Sequence, residues 1–316
     1  MTDYVGEKMR ILVTGGAGFI GSHLCERLAK EHNVICVDNL LTGKRENLEG
    51  MAIRFIRHDI ARPFEKKIGK VDVIFNLASP ASPADYEEYP IETLLANSVG
   101  VYNMLEIARK NDARFLQASS SEVYGDPLIH PQREGYWGNA NPIGPRSCYD
   151  EGKRFAEALC MSYYRKYGLG VAIARIFNTY GPRMRLDDGR VVPNFISQAL
   201  KNRPITVYGD GKQTRSFCYV SDMVNGLCAL AFSKYKGEVF NVGNPEEHTI
   251  LEFANITKRK CSSDSRTIFK SLPRDDPRKR KPDVSKITKA VGWKPKVSLD
   301  EGLGETVGWF RKRLRK

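Results

Sequence analysis

Three glycines spaced three apart, set between a short apolar run and a helical pattern, constrain this chain more than any other feature. Met9-Arg10-Ile11-Leu12-Val13-Thr14 has the length and branching of a strand. It enters Gly15-Gly16-Ala17-Gly18-Phe19-Ile20-Gly21, after which Leu24 and Leu28 mark a helix. Gly15, Gly18 and Gly21 provide a tight turn, close backbone approach to a pyrophosphate and close helix–strand packing. The helix start then directs free N–H groups and its positive dipole end at the phosphates. A second strand, Val34 to Val37, ends in Asp38, 17 residues beyond Gly21. An acid at that place accepts hydrogen bonds from both adenosine ribose hydroxyls and repels a 2′-phosphate. The pattern therefore selects NAD over NADP.

Strand and helix go on alternating. Ile53 to Arg57 leads to His58-Asp59, and Asp59 is within reach of an adenine amino group. No role is assigned to His58. Val71 to Ala78 reads as a buried strand, and Ser79-Pro80-Ala81-Ser82-Pro83 must be a loop. A loop after a parallel strand lies over the ligand crevice. Glu92 to Lys110 is helical, with Asn97 either bonded near the cofactor or exposed. Arg114 to Ser119 forms the next strand. Gly170 to Phe177 forms another, after a helix carrying Tyr149 and Lys153. Repeated units of this kind predict an α/β fold, a Rossmann-type doubly wound parallel sheet.

Beyond Asn178 the rhythm breaks, and arginines recur at 183, 185, 190 and 215. The expected organisation is an NAD-binding domain over 1–178, with returning segments near 239–258. A smaller C-terminal substrate-binding lobe covers 179–316.

Composition excludes several classes. An apolar fraction of 41% supports a buried core. No apolar run approaches the ~18 residues of a membrane helix. The start, Met1 to Lys8, lacks a signal-peptide segment, so a cytoplasmic protein is expected. Seven cysteines include no Cys-x-x-Cys, which favours buried thiols over disulfides or a metal site. The net charge of +13 fits either nucleic acid or a polyanionic small molecule. Without a nucleic-acid motif, the small molecule is preferred.

Tyr149 and Lys153 stand four apart, so on a helix they share a face. A cation beside a phenol favours the phenolate. Alone the pair is equally an ordinary exposed helix face; downstream of a dinucleotide site it becomes a base for a sugar alcohol. Ser120, at the end of a strand, is the candidate to hold that alcohol.

These motifs resemble the extended short-chain dehydrogenase/reductases. Within them, Ser121-Glu122-Val123-Tyr124-Gly125-Asp126-Pro127, His130-Pro131-Gln132, Tyr136-Trp137-Gly138-Asn139, Asn141 to Arg154, Ala174 to Asn178, Asp275-Asp276-Pro277 and Arg280-Lys281-Pro282-Asp283 resemble the UDP-glucuronate decarboxylases. The resemblance covers nearly the whole chain. It implies oxidation of UDP-glucuronic acid at C4 by bound NAD⁺, loss of CO₂ from the β-keto acid, protonation at C5 and re-reduction to UDP-xylose. Tyr149 would be the base, Lys153 would depress its pKa and Ser120 would orient the hydroxyl. Ser121 stands where related dehydratases carry an acid for water loss; CO₂ leaves without one. Glu122 would protonate C5 through a water, orient the substrate carboxylate, or act only as a structural acceptor.

Arg280 is expected near that carboxylate, Arg185 and Arg215 at the diphosphate, and Arg190 at sugar or nucleotide, because guanidinium forks suit such anions. Asn178 and Tyr208 are further contacts, with Val192 to Phe195 lining the pocket. Carried onto this chain, dinucleotide contacts also include Phe19, Ile20, Asn39, Thr42, Gly43, Ile60, Leu77, Ala78 and Ser119. Substrate contacts also include Ser79, Pro80, Ser82, Tyr86, Asn194 and Gln213. A homodimer through a four-helix bundle of Glu92–Lys110 and Asp150–Tyr167 is implied, with no nucleic-acid or membrane partner and no metal. Alternatives within the family are a 4-epimerase or a decarboxylase that releases NADH.

Overall fold

A computed structural model of the protein describes residues 8–272 and 277–315. Asp275 and Asp276 of the motif quoted above, and residues 1–7 at the start, lie outside the described residues.

Seven parallel strands form the central sheet: β1 (Arg10–Thr14), β2 (Asn33–Asp38), β3 (Arg54–Arg57), β4 (Val73–Asn76), β5 (Arg114–Ser120), β6 (Val171–Ile176) and β7 (Glu238–Val242). Their spatial order is β7-β6-β5-β4-β1-β2-β3. The strands are apolar almost throughout because both faces of the sheet are covered. Alternate residues go to opposite layers. Ile11, Val13, Cys36 and Phe75 pack with Leu24 and Leu28 of α1 (Phe19–Leu28). Leu12, Ile35, Ile74 and Phe115 pack with Met104 and Leu105 of α2 (Val101–Asn111) and with Ala156 and Cys160 of α3 (Ser147–Tyr167).

Chain order reverses between β1 and β4, and there the glycine turn opens. A doubly wound sheet binds its ligand at that switch point, outside the carboxyl ends of the strands. Helix α2 is preceded by Pro90–Leu95 and a wider π-type turn over Ala96–Gly100. Such turns mark places where a regular helix has been locally re-aimed.

The remaining strands are short. Thr214–Ser216 lies between Glu247–Thr249 and Lys279–Arg280, and Ile205–Tyr208 pairs with Thr267–Lys270. Around them lie α4 (Val191–Leu200), α6 (Ile250–Cys261) and α7 (Leu299–Leu314); α5 (Val220–Ala231) packs on the main sheet. The sequence expects two passages near 239–258, Val239 to Gly243 and Ile250 to Ala254, to return to the first lobe. Instead β7 joins the sheet, whereas α6 packs on α4 and α7, with Phe253 stacked on Phe217 at 4.4 Å. The chain changes lobe within a few residues, which hydrophobic periodicity does not record. Among the described residues no helix is long and apolar enough to cross a membrane.

Candidate active site

A cleft of about 810 Å³ runs from the glycine turn to Arg215. At its first end the glycines are demanded by space. A Cβ on Gly21 would lie 2.1 Å from the Gly15 carbonyl oxygen, and one on Gly15, whose φ is +67°, 2.8 Å from Ala78. Asp38 ends β2 with Oδ2 accepting from Ala17 N at 2.9 Å and Oδ1 from Leu40 N at 2.8 Å. Burial raises its pKa, with these two bonds opposing the shift. Each oxygen keeps a second acceptor site for a ribose hydroxyl. The narrow glycine turn and the acid beside Gly43 fit a dinucleotide.

Of the residues expected on the cleft wall, one is displaced. Asn97 is buried, and its Nδ2 donates to Ser79 Oγ (2.8 Å) and Thr93 O (2.9 Å). It does not line the cleft, because the π-type turn packs it against Gly152 of α3. Every other expected contact lines it: Phe19, Ile20, Asn39, Thr42, Asp59, Ile60, Leu77 and Ala78 towards the glycine end, and Ser79, Pro80, Ser82, Tyr86, Asn178, Val192, Asn194, Phe195, Tyr208, Gln213 and the arginines beyond.

Several of these polar groups already have protein partners. Asp59 Oδ1 accepts from Ala61 N, Ser82 Oγ caps the short helix Pro83–Glu88, and Asn194 Nδ2 donates to Gly189 O. Gln213 Nε2 donates to Tyr208 O at 2.6 Å. Arg185 pairs with Asp85, and Arg190 makes a two-point contact with Asp188. Arg215 is buried and donates to Thr214 O. The arginines expected to face a diphosphate are thus pre-positioned by carboxylates and carbonyls, so an anion would share them.

Ser120, Tyr149 and Lys153 come together. Ser120 Oγ accepts from Glu122 N at 3.2 Å, capping the single turn Ser121–Tyr124, and its hydroxyl acts to lower the pKa of the Tyr149 phenol. Lys153 Nζ donates to Ala118 O at 3.0 Å and lies 5.5 Å from the Tyr149 ring centre. Tyr86 stacks on Tyr149 at 5.3 Å, and its own hydroxyl is buried without a partner among the described residues.

Burial pushes Tyr149 up to about 12, opposed by the Ser120 bond and the Arg190 charge. Burial pushes Lys153 down to about 8, against the raising influence of Glu157. Ser119, expected at the dinucleotide, lines the cleft but gives its hydroxyl to Glu157 at 2.6 Å.

Glu122 is clamped between two guanidinium groups, Arg280 on Oε1 and Arg146 on Oε2 at 2.8 Å. Burial would raise its pKa, but those two charges outweigh it and hold the carboxyl well below its usual range. Arg280 is itself buried and also donates to Gly125 O at 3.1 Å. Sequence reasoning assigned Arg146 no role, and nothing in its spacing marks one. It likewise missed the buried line from Thr14 Oγ1 to Asn76 (2.6 Å) to Gln117 (2.8 Å), which ties three strands beneath the cleft.

A family model for the NAD dependent epimerase/dehydratase family matches residues 11–243. The chain belongs to that family. It is 54% identical to UDP-glucuronic acid decarboxylase 1 of Arabidopsis thaliana over 98% of this chain and 71% of that protein. With UDP-glucuronic acid decarboxylase 1 of Xenopus tropicalis the identity is 52%, over 98% of this chain and 73% of the relative. Among solved structures, the UDP-glucuronic acid 4-epimerase of Bacillus cereus, in complex with UDP-glucuronic acid and NAD, superposes with a TM-score of 0.85. It is 31% identical and covers 97% of this chain and 100% of the epimerase. In an epimerase/dehydratase of this family NAD is the cofactor, and the glycine turn with Asp38 is where it fits.

Proposed function

We propose that this chain converts UDP-glucuronic acid to UDP-xylose and CO₂. The observation that carries the reading is the identity above 50% to UDP-glucuronic acid decarboxylases over nearly the whole chain. The site supports it, since Ser120, Tyr149 and Lys153 converge and Ser121, not an acid, precedes Glu122.

NAD, held by the glycine turn and Asp38, supplies an acceptor and later a donor of hydride at C4 when bound. Tyr149 takes the proton of the C4 hydroxyl, and Ser120, whose oxygen already accepts from Glu122 N, directs its hydroxyl proton at that phenol oxygen. Lys153 stabilises the phenolate once it forms. With a carbonyl at C4, the bond from C5 to the carboxylate breaks with its electrons entering the enolate, and CO₂ departs without a proton. Glu122, kept ionised by Arg280 and Arg146, is an acceptor rather than an acid. It therefore orders the water whose proton reaches C5, and the hydroxide left behind takes up from solvent the one proton that loss of CO₂ from a carboxylate consumes. Arg280 has a buried Nε–H without a partner among the described residues, and we assign it to the substrate carboxylate.

The smaller lobe over 179–316 is proposed to hold the UDP group. Leu94, Leu95, Tyr102 and Phe155 are exposed apolar side chains on the two helical segments expected to meet a second copy, which supports a homodimer. All seven cysteines are free, as suits a reducing, cytoplasmic setting.

The test is product analysis with UDP-glucuronic acid and catalytic NAD⁺. Equimolar CO₂ and UDP-xylose without net NADH is expected. UDP-galacturonic acid without CO₂ would overturn the reading in favour of an epimerase; stoichiometric NADH would mark a decarboxylase that releases its keto product.

A further inference from the structure

Helix α3 carries one more ionisable group on the face that bears Tyr149 and Lys153. Glu157 follows Lys153 by four residues and Tyr149 by eight, so the three side chains stack along one stripe. Its carboxylate is buried and fully engaged. Oε1 accepts from Ser119 Oγ at 2.6 Å and from Arg175 Nε at 2.8 Å; Oε2 accepts from Arg175 Nη2 at 2.7 Å. Ser119 precedes Ser120 on β5, and Arg175 stands on the neighbouring strand β6. The carboxylate is therefore fixed by two strands at the level where Lys153 Nζ reaches the Ala118 carbonyl.

We propose that Glu157 is a positioning residue that keeps Lys153 an ammonium ion in the buried floor of the cleft, and so keeps Tyr149 able to act as a base. This rests on the proposed C4 chemistry, in which the charge of Lys153 stabilises the phenolate.

The surroundings of Lys153 leave Glu157 as the group able to do so. Lys153 is almost wholly buried, and burial of an ammonium ion without an anion favours the neutral amine. Its direct partner, the Ala118 carbonyl, carries no net charge. On its own helix the neighbours are Tyr149, the buried Asp150 three residues before it, whose carboxyl burial raises to about 7, and, one turn beyond Glu157, the buried thiol of Cys160. From β6 comes Arg175, a cation turned onto Glu157 and, through Nη1, onto the Tyr124 hydroxyl at 2.9 Å and Glu134 O at 3.1 Å. From the turn after β5 comes Glu122, neutralised by Arg280 and Arg146. Among the described residues, the charge of Glu157 raises Lys153 against its burial.

The experiment follows Lys153 itself in the ligand-free protein, by NMR of the isotope-labelled side chain across pH, so its outcome does not depend on which sugar nucleotide is consumed. In the native protein the ammonium should titrate near pH 8. Glu157→Gln keeps the shape and one acceptor but removes the charge. It should move the transition to lower pH by about one unit or more, and the alkaline fall of CO₂ release from UDP-glucuronic acid should move with it. Arg175→Gln removes a cation and leaves the Glu157 charge, and should move the transition upward. A scaffold without an electrostatic role predicts no downward shift in the first variant. An unmoved transition in Glu157→Gln overturns the proposal. If that variant does not fold, an unmoved or lowered transition in Arg175→Gln overturns it. Native protein that titrates as expected but releases no CO₂ would count against the decarboxylase reading alone.

Discussion

Arg280 closes on Glu122 across 158 residues of chain, and the pair joins the last short strand of the small lobe to the turn that follows β5. With Arg146 on its other oxygen, Glu122 is at once an acceptor in the cleft and a tie between the turn after β5 and the strand Lys279–Arg280.

Glu122→Gln should therefore separate two effects. Loss of the charge removes the acceptor that orders the C5 proton, and CO₂ release should fall by about 10²–10³-fold, the scale of one acid–base group. The buried Arg280 and the half-buried Arg146 also lose their counter-charge, which lowers the unfolding midpoint. NAD affinity, measured by calorimetry, should not change, because Asp38 and the glycine turn are untouched. Unaltered turnover would remove Glu122 from the chemistry.

The alkaline limb of activity should follow Lys153. With its folded pKa depressed from 10.5 to about 8, it loses the charge that favours the Tyr149 phenolate as pH rises through 8. Stability moves the other way. Between pH 8 and 10.5 the unfolded chain binds this proton and the folded one does not, so this group's contribution to stability rises with pH. Lys153→Met should abolish turnover and remove that rise, as read from urea unfolding at pH 8 and pH 10.

Asp150, next to Tyr149, has a buried Oδ1 without a hydrogen-bond partner among the described residues. Burial and then the Glu122 charge raise its carboxyl to about 7. A raised acid binds its proton in the folded state where the unfolded chain has released it, so its contribution falls as pH climbs from about 4 to 7. Asp150→Asn should be the more stable protein at pH 7.5, with the difference shrinking at pH 5. Denaturant midpoints at the two pH values decide it.

Gly21→Ala places a methyl group 2.1 Å from a backbone oxygen of Gly15. The turn must open to admit it, and NAD binding should weaken at least tenfold by calorimetry. Gly304→Ala, where a Cβ meets nothing within 4 Å, is the control and should bind normally.

The proposed dimer face can be broken by one charge. Tyr102, half exposed on α2, becomes a buried anion in an apolar interface when changed to Glu. Light scattering should then show a monomer; a native protein that is already monomeric would remove the interface.

How much was legible in the sequence follows the distance between partners. The glycine turn, the acid ending β2 and the Tyr149–Lys153 stripe each need only a few residues and a regular period, and all three stand in the structure as the spacing predicts. So does the alternation that builds the parallel sheet. Asn97, left open between a bond near the cofactor and exposure, is buried behind Ser79 because a π-type turn shifts the face that a 3.6-residue period assigns to it.

What the chain determined by itself is local: steric room at Gly15 and Gly21, helical spacing at Tyr149 and Lys153, and pleat alternation in the strands. Only the tertiary structure decided which charges share a buried volume. The Glu122–Arg280 pair, the Glu157–Ser119–Arg175 cluster and the rise of the Tyr149 phenol to about 12 arise between segments far apart in sequence. The reason is physical: burial and Coulomb interaction depend on separation in space and loss of water, and neither quantity exists until the strands and helices have packed.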